Sequence, residues 1–153
     1  MMKAQSILRP MTWLDIEEVV LLEAQLFPED SWTAELFWSE LSQVPDSREV
    51  MVAVQDNHIV GYVSLRFVGN EGDVNTIAVS PEHQGQGIGR TMLEWLESTA
   101  EKRGITQIFL DVRSDNESAI AMYNNHGYER IDQRRDYYAT DVHAFVMRKR
   151  LAP

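Results

Sequence analysis

The sequence predicts a mixed α/β fold, an α+β arrangement with one central mixed sheet and helices on both faces. Three observations predict it: strand and helix patterns alternate, short polar turns join some strands directly, and a glycine-rich loop connects a strand to an amphipathic helix. Helical crossovers imply parallel strands and hairpins imply antiparallel ones, so one sheet contains both. With 153 residues, the chain has the size of a single domain, which we expect to span residues 1–153.

The N-terminal part of the chain indicates one strand and two helices. The strand, Gln5 to Arg9, ends at Pro10, and Thr12 then caps a helix with Asp15 in its first turn. Apolar residues at helical spacing predict one buried face of this helix, formed by Ile16, Val19, Val20 and Leu26. A second helix, from about Thr33 to Leu41, is expected to turn inward Leu36, Phe37 and Leu41.

Three strands follow. Val50 to Val54 and Ile59 to Phe67 are separated by the turn Asp56-Asn57-His58, which is typical of an antiparallel hairpin. The next turn, Gly69 to Gly72, leads into a strand from Val74 to Val79.

The C-terminal half indicates two helices and three strands. A helix from Gly89 to Arg103 carries one apolar face, formed by Ile88, Met92, Leu93, Leu96 and Ala100. The strand Ile105 to Arg113 alternates, with Ile108, Leu110 and Val112 on one side and Phe109 and Asp111 on the other. Asn116 can cap a helix from Glu117 to Asn125, and two last strands, Tyr128 to Arg134 and Val142 to Lys149, are joined by a loop containing Tyr137 and Tyr138.

The loop before the long helix is the most informative stretch. A break at Ser80-Pro81 is followed by alternating glycines, Gly85, Gly87 and Gly89. A glycine-rich turn that feeds a helix N-terminus directs several N–H groups to one spot, where the helix dipole is positive. The stretch therefore predicts a phosphate-binding site. The alternative is a tight turn in which the glycines serve only close packing.

Two other phosphate-binding motifs do not fit this loop. In a dinucleotide-binding G-x-G-x-x-G, Arg90 would replace the last glycine, and a P-loop requires one more residue between its glycines followed by Lys. The pattern Q-x-x-G-x-G does fit, at Gln84, Gly87 and Gly89. With the preceding strand, it resembles the acetyl-CoA motif of the GNAT N-acetyltransferase superfamily, whose fold follows the same order of elements over the whole chain.

A second resemblance narrows the family. The stretch from Leu110 to Tyr128, LDVRSDNESAIAMYNNHGY, resembles the strand-helix segment L-E-V-R-x-x-N-x-x-A-x-x-L-Y-x-x-x-G-F of RimI-like acetyltransferases. These enzymes acetylate the α-amine of a ribosomal protein's N-terminal alanine. Two further stretches, Glu23 to Phe27 and Arg134 to Tyr138, are similar to the same subgroup.

The resemblance implies acetyl-CoA as cosubstrate and a set of residues that hold it. The pantetheine arm would lie along the strand before the loop, with Val79 N–H as the oxyanion donor, and Asn116 would contact the CoA arm as well as cap its helix. The implied cofactor-binding residues are Ile77, Ala78, Val79, Gln84, Gly85, Gln86, Gly87, Ile88, Gly89, Arg90 and Asn116.

Transfer of an acetyl group to an amine requires a base for the ammonium and an acid for the leaving thiolate. The resemblance implies Tyr123 as the acid; the alternative is a core tyrosine packed near Ile120. It implies Asp111 as the base, acting directly or through a bridging water, or as an anchor for the incoming ammonium. Asp111 stands where the family has Glu, and a salt bridge with Arg113 or another basic neighbour is the alternative.

Other polar and aromatic residues leave their roles open. Asp73 is a competing carboxylate or a solvated residue near the turn. Tyr137 and Tyr138 form the wall of a substrate groove or anchor a loop. We therefore carry Asp73, Tyr137 and Tyr138 as candidate substrate-binding residues.

Composition excludes several classes of protein. The chain has no cysteine, so it has no disulfide and no thiolate ligand, and its four histidines lack metal-ligand spacing, so we expect no metal. A net charge of -10 argues against nucleic-acid and membrane partners and favours a basic one. The resemblance implies a protein or peptide N-terminus, that of a basic ribosomal protein, as the expected acceptor.

Neither a signal peptide nor a membrane span is evident, which favours a cytoplasmic protein. We expect a monomer or a weak dimer. Two rival functions remain open: an enzyme of the same fold that acetylates a small amine or a lysine side chain, and a CoA-binding module without turnover.

Overall fold

The computed structural model of the protein describes residues 5–151. The strands are β1 (Ile7–Pro10), β2 (Arg48–Gln55), β3 (His58–Val68), β4 (Glu71–Val79), β5 (Gln107–Arg113), β6 (Glu129–Ala139) and β7 (Val142–Arg150), and the helices are α1 (Ile16–Leu26), α2 (Ala34–Ser42), α3 (Ile88–Lys102) and α4 (Glu117–Asn125). Within residues 5–151, no helix has the length and apolar character to span a bilayer. The expectation that the N-terminus is not a signal peptide lies partly outside the described residues.

The strands form a seven-stranded mixed sheet in the order β1-β2-β3-β4-β5-β7-β6. The β4–β5 pair is parallel, whereas the β1–β2, β2–β3, β5–β7 and β6–β7 pairs are antiparallel. The parallel pair is the one whose connection contains a helix, α3, which is the topology that a crossover requires. The predicted class, a mixed sheet with helices, is confirmed.

The chain divides into two compact units. The first contains Met1–Arg66 and Asn75–Glu94, and the second contains Phe67–Val74 and Trp95–Pro153. The first unit therefore holds β1, β2, most of β3, α1, α2, the end of β4, the glycine loop and the start of α3. The second holds the end of β3, the start of β4, the rest of α3, β5, α4, β6 and β7. The expected single-domain organisation stays a prediction.

In the first unit, the predicted hairpin is confirmed. The turn residues Asp56 and Asn57 both have positive φ, 52° and 63°, as a tight turn between twisted antiparallel strands requires. The prediction that Leu36 faces inward is wrong, because Leu36 is 47% exposed and Phe37 is 1% exposed. Adjacent helix positions point about 100° apart, so the burial of Phe37 against Trp32 and Tyr62 turns Leu36 toward solvent.

A buried polar cluster in the first unit joins α2 to three strands. The Glu40 carboxylate on α2 accepts from Arg48 Nε of β2 at 3.0 Å, from Ser64 Oγ of β3 at 2.7 Å and from Asn75 Nδ2 of β4 at 3.1 Å. Glu40, Arg48 and Ser64 are all buried. We call these four residues the Glu40 cluster. The cluster keeps the Glu40 carboxylate away from water, and each of its three hydrogen-bond donors lies on a different strand.

In the second unit, the strand and helix predictions from Ile105 to Asn125 hold closely. The alternating residues of β5, Ile108, Leu110 and Val112, are buried. The Asn116 side chain accepts from Ala119 N–H at 3.2 Å, which confirms its role as the cap of α4.

The prediction that Tyr137 and Tyr138 lie in a loop is wrong, because β6 extends to Ala139. The pairing with β7 shifts between Arg134 and Ala139, and Asp136 has a φ of 51°, so the two tyrosines lie on an irregular, bulged part of the strand. Hydrogen bonds support the bulge, since Asp136 N–H donates to His143 Nδ1 and Asp141 N–H donates to Asp136 Oδ1.

We expect Gly61→Ala to destabilise the protein. A Cβ at Gly61 in β3 would lie 2.9 Å from the carbonyl oxygen of Ala78 in β4, and a strand carbonyl cannot move away without breaking its ladder. Overpacking of this kind lowers the free energy of unfolding by about 1–3 kcal/mol. Urea denaturation measures the loss, and equal midpoints for the two proteins would contradict the close approach of β3 and β4.

Candidate active site

The glycine-rich loop has a backbone conformation that is compatible with an anion-binding site. Gly85 and Gly87 have φ angles of 79° and 85°, which side chains rarely adopt. A Cβ built on either residue would meet no atom within 4 Å. Close packing is therefore not the reason for these two glycines, whereas the left-handed turn is.

Hydrogen bonds hold the loop against the end of β4. Gln84 Nε2 donates to the carbonyl oxygen of Val79 at 3.2 Å, and Ser80 N–H donates to the carbonyl oxygen of Val60 at 2.7 Å. His83 N–H donates to Ser80 at 2.9 Å, while the Nδ1 atom of His83 is buried without a hydrogen-bond partner. The loop thus leaves β4 along a fixed path.

The long helix begins directly after the loop, at Ile88, one residue before the predicted start. The carbonyl oxygen of Gly87 accepts from the N–H of Thr91 at 3.0 Å and from its hydroxyl at 2.9 Å. The first N–H groups of any helix have no intrahelical acceptor, and the first turn of α3 contains no acidic residue. Gln84 to Gly87 are exposed, so these donors face an accessible, positively polarised site.

Arg90 lies in the first turn of α3 and pairs with Glu94, with 3.0 Å between Arg90 Nε and Glu94 Oε1. Both side chains are mostly exposed, and such i,i+4 pairs contribute only about 0.3–0.5 kcal/mol. An anion can therefore replace Glu94 as the partner of the Arg90 guanidinium at a small cost in free energy.

The strand before the loop has a short parallel ladder. β4 pairs with β5 from Glu71 with Gln107 to Asp73 with Phe109, while β4 itself continues to Val79. In this later part Ala78 is buried, and Ile77 and Val79 are half-buried. Asp73 is the third residue of β4 and is half-buried, and its role stays a prediction.

Tyr123, the candidate acid, is buried in α4 of the second unit. Its ring contacts the Tyr128 ring edge to face, with centroids 5.9 Å apart. Burial, and then the charge of an ionised Tyr138, raise the pKa of Tyr123 above the ordinary value of 10.0. The phenol is consequently protonated, and able to donate, over the whole neutral range.

Asp111, the candidate base, is exposed on β5 opposite Val146 of β7. Two residues further along β5, Arg113 donates from Nε and Nη2 to both oxygens of Asp115, each at 3.0 Å. This pairing lowers the pKa of Asp115 from its ordinary value. Arg113 therefore forms an ion pair with Asp115, and the role of Asp111 stays a prediction.

The two adjacent tyrosines contact each other and two arginines. Their rings are perpendicular, with centroids 5.1 Å apart, and Arg113 lies over the Tyr138 ring at 5.2 Å while Arg134 lies near the Tyr137 ring at 5.5 Å. Tyr137 is 54% exposed. Besides burial, Tyr138 also raises the pKa of Tyr123. Within the second unit, the candidate acid Tyr123 and the candidate substrate-binding residue Tyr138 are therefore close enough to interact electrostatically.

Sequence analysis did not predict two features, the buried carboxylate of Glu23 and the unpaired hydroxyl of Tyr128. Glu23, part of a recognised stretch, is buried and accepts hydrogen bonds from the Tyr62 hydroxyl and, at 2.9 Å, from Trp32 N–H, so it fixes the connection between α1 and α2. Tyr128 stands where the family pattern has Phe, and its buried hydroxyl has no hydrogen-bond partner. The replacement of the family's Phe by Tyr128 is the sequence signal that could have indicated the unusual hydroxyl. No residue adjacent to Glu23 in the sequence indicates its hydrogen bonds to Tyr62 and Trp32.

One group of side chains within residues 5–151 has the composition of a metal site. One ligand atom from each of Asp136, Asp141 and His143 lies within 4.8 Å of the others. The hydrogen bonds of the β6–β7 turn already use Asp136 Oδ1 and His143 Nδ1 as acceptors, which accounts for the proximity. The expected absence of a metal stays a prediction.

Comparison with known proteins identifies the family. Residues 13–128 match the Acetyltransferase (GNAT) family. A Mycobacterium tuberculosis protein named N-alpha-acetyltransferase RimI is 37% identical over 145 residues, which are 91% of this chain and 89% of that protein. An uncharacterised Mycobacterium leprae protein is 38% identical over 146 residues, which are 91% of this chain but only 39% of that longer protein.

A solved structure agrees with the sequence comparison. The crystal structure of the ribosomal-protein-S18-alanine N-acetyltransferase from Escherichia coli superposes with a TM-score of 0.85 and 27% identity, over 97% of this chain and 96% of that one. Family match, relatives and fold point the same way. The chain belongs to the GNAT family of acetyltransferases and is an N-acetyltransferase.

Proposed function

We propose that this enzyme transfers the acetyl group of acetyl-CoA to the N-terminal α-amine of a protein, the N-terminal alanine of a ribosomal protein being the expected acceptor. The relatives support the acceptor, since one is named RimI and another is a ribosomal-protein-S18-alanine N-acetyltransferase. The observation that carries the proposal is the glycine loop, whose positive φ angles serve a turn into α3 and not packing.

The family uses acetyl-CoA, and the proposed cofactor contacts follow the chain from β4 to α4. The pyrophosphate would bind the loop and first turn, Gln84 to Arg90, and the pantetheine arm would pair with the backbone from Ile77 to Val79. Val79 N–H would stabilise the oxyanion. The Asn116 side-chain oxygen already accepts from Ala119 N–H, so its amide NH₂ would be the group that donates to the CoA arm.

The chemistry needs no covalent enzyme intermediate. The acceptor ammonium loses one proton, with Asp111 as base either directly or through water, and the amine attacks the thioester carbonyl. The nitrogen loses its second proton to water as the tetrahedral intermediate collapses. The CoA thiolate leaves with a proton from Tyr123, which regains one from solvent. Burial raises the pKa of Tyr123, so the phenol is protonated at neutral pH and holds a proton to donate. The same shift makes it a weaker acid than an exposed tyrosine.

The proposed acceptor site uses the tyrosines on the β6 bulge. Tyr137 and Tyr138 would form one wall of the groove that binds the acceptor backbone. Asp73 would attract the ammonium group of the acceptor N-terminus. A net charge of -10 favours a basic acceptor such as a ribosomal protein, and it disfavours nucleic acid and anionic lipid. Ribosomal proteins are made in the cytoplasm, where we expect the enzyme to act as a monomer or a weak dimer.

The function is tested by free-thiol release from acetyl-CoA with three classes of acceptor. The first is a peptide that begins with alanine, the second is the same peptide with a blocked N-terminus and an internal lysine, and the third is a polyamine. We expect release with the first class only, because the proposed acceptor is an α-amine. Release with the blocked peptide or the polyamine would move the enzyme to a different acceptor class, and binding of acetyl-CoA without any release would indicate a module without turnover.

We expect Tyr123→Phe to lower kcat by about 10²–10⁴, the usual contribution of a general acid, while acetyl-CoA binding changes far less. Steady-state kinetics and calorimetric binding separate the two effects. Because burial raises the pKa of Tyr123 above 10.0, the wild-type enzyme should lose no activity below that pH through ionisation of this group. Equal losses in kcat and in acetyl-CoA affinity would remove Tyr123 from the acid role.

Asp111→Asn should lower kcat by about 10²–10⁴, the usual contribution of a general base, because an amide cannot accept the proton of the acceptor ammonium. Asp111→Glu is the matched control, since it restores the family's residue and keeps the charge. We expect Asp111→Glu to retain activity, and steady-state kinetics measures both variants. If Asp111→Asn leaves kcat unchanged, another group is the base.

A further inference from the structure

Two tryptophans are stacked on the surface of the first unit. Trp13, just before α1, and Trp38, on α2, have ring centroids 6.3 Å apart and an interplanar angle of 17°. They are 60% and 51% exposed, although tryptophan is highly buried on average. Leu14, in the one-turn 3-10 helix Trp13–Asp15 that precedes α1, and Leu21, in α1, are 70% and 68% exposed and add two exposed apolar side chains nearby in the chain.

Acidic residues border this apolar area. Glu17, in the first turn of α1, follows Trp13 by four residues. Glu35 precedes Trp38 by three residues on α2, a spacing that places it beside Trp38 on the helix surface. Both glutamates are exposed. We call the six residues the aromatic–acidic surface: Trp13, Leu14, Glu17, Leu21, Glu35 and Trp38.

The charge of this region is not neutralised locally. Residues 1–50 contain ten Asp or Glu and three Lys or Arg. Of the three cations, Arg9 pairs with Asp15 at 2.7 Å and Arg48 pairs with Glu40 at 3.0 Å, and Lys3 lies outside the described residues. Among the ion pairs of residues 5–151, none involves Glu17 or Glu35. The aromatic–acidic surface therefore attracts cations.

Arginine and lysine side chains fit both parts of this surface. Their cationic groups bind the faces of tryptophan rings by cation–π attraction and bind carboxylates by ion pairing, and their aliphatic stems cover apolar side chains. A second copy of this chain fits poorly, because a symmetric contact would bring the same glutamates together. An anionic membrane would be repelled by the same charges.

We propose that the aromatic–acidic surface docks an Arg/Lys-rich segment of the acceptor polypeptide, downstream of the residue that is acetylated. This inference rests on the proposed function, because it takes a basic protein as the acceptor. The surface adds affinity for the body of the acceptor, while the active site handles only its N-terminus. The enzyme thereby distinguishes a basic protein from other chains that begin with alanine.

The first experiment measures binding alone. A long Arg/Lys-rich peptide with a blocked N-terminus is titrated into the enzyme by calorimetry, together with an analogue in which serine replaces each Arg and Lys. We expect the basic peptide to bind, the serine analogue not to bind, and both the Trp13→Ala/Trp38→Ala and the Glu17→Lys/Glu35→Lys variants to lose about tenfold or more in affinity. Val68→Ala, a change at a 50% exposed residue of β3, is the matched control and should bind as wild type does.

The second experiment measures kinetics with two acceptors that begin with alanine, a tetrapeptide and a long Arg/Lys-rich peptide. Both double variants should raise KM for the long peptide about tenfold and leave KM for the tetrapeptide and kcat unchanged. Equal KM changes for both acceptors, or unchanged binding of the blocked peptide, would overturn the docking proposal.

The two failures are distinguishable. If neither alanine peptide is acetylated, the proposed function fails, while the blocked-peptide titration still decides whether basic segments dock. A wild-type dimer that dissociates in the Trp13→Ala/Trp38→Ala variant, seen by sedimentation, would show that a second copy covers the surface and would also overturn the proposal.

Discussion

The buried carboxylate of Glu40 is the interaction on which the assembly of α2 with β2, β3 and β4 depends. A carboxylate in a protein interior is tolerated only when ionic and hydrogen-bonding partners replace water, and removing one partner of a buried pair costs about 3–5 kcal/mol. Here the partners come from β2, β3 and β4, so the charge can be satisfied only when α2 and these three strands are assembled. One of them, Asn75, is two residues beyond the last β4–β5 pair at Asp73.

The part of β4 that would bind pantetheine is thus fixed at two points. The Glu40 cluster holds Asn75, and the close approach of Gly61 holds the backbone at Ala78. Gln84 then ties the glycine loop back to Val79. This chain of contacts gives the loop a defined starting direction, which an anion site made of backbone N–H groups requires, since such a site has no side chain that can adjust to the ligand.

Local patterns predicted the elements whose geometry is decided by neighbours in sequence. The cap of α4 by Asn116, the hairpin at Asp56-Asn57 and the turn at Gly85 and Gly87 each follow from residue types with known backbone preferences. Features decided by distant residues were not predictable. The bulge that carries Tyr137 and Tyr138 into β6 depends on Asp136 in a left-handed conformation supported by His143.

The same limit applies to the polar core and to the candidate site. Nothing near Glu40 in the sequence indicates that its partners lie on three strands, and the inward direction of Phe37 rather than Leu36 is decided by the Tyr62 ring. For the site, the loop could be predicted from its glycines, whereas the roles of Asp111 and Tyr123 came from family resemblance. The side-chain environments of those two residues, one exposed and one buried, could not be read from sequence because they depend on β7 and on the tyrosines that surround α4.

The most direct test of the central claim uses the natural acceptor pool. Ribosomal proteins purified from a strain that lacks this enzyme would be incubated with the enzyme and isotopically labelled acetyl-CoA, and the labelled residues would be located by mass spectrometry. The account predicts label on the N-terminal alanine of a ribosomal protein and none on lysine side chains. Label confined to lysine side chains, or no label on any ribosomal protein while acetyl-CoA is hydrolysed or retained, would contradict it.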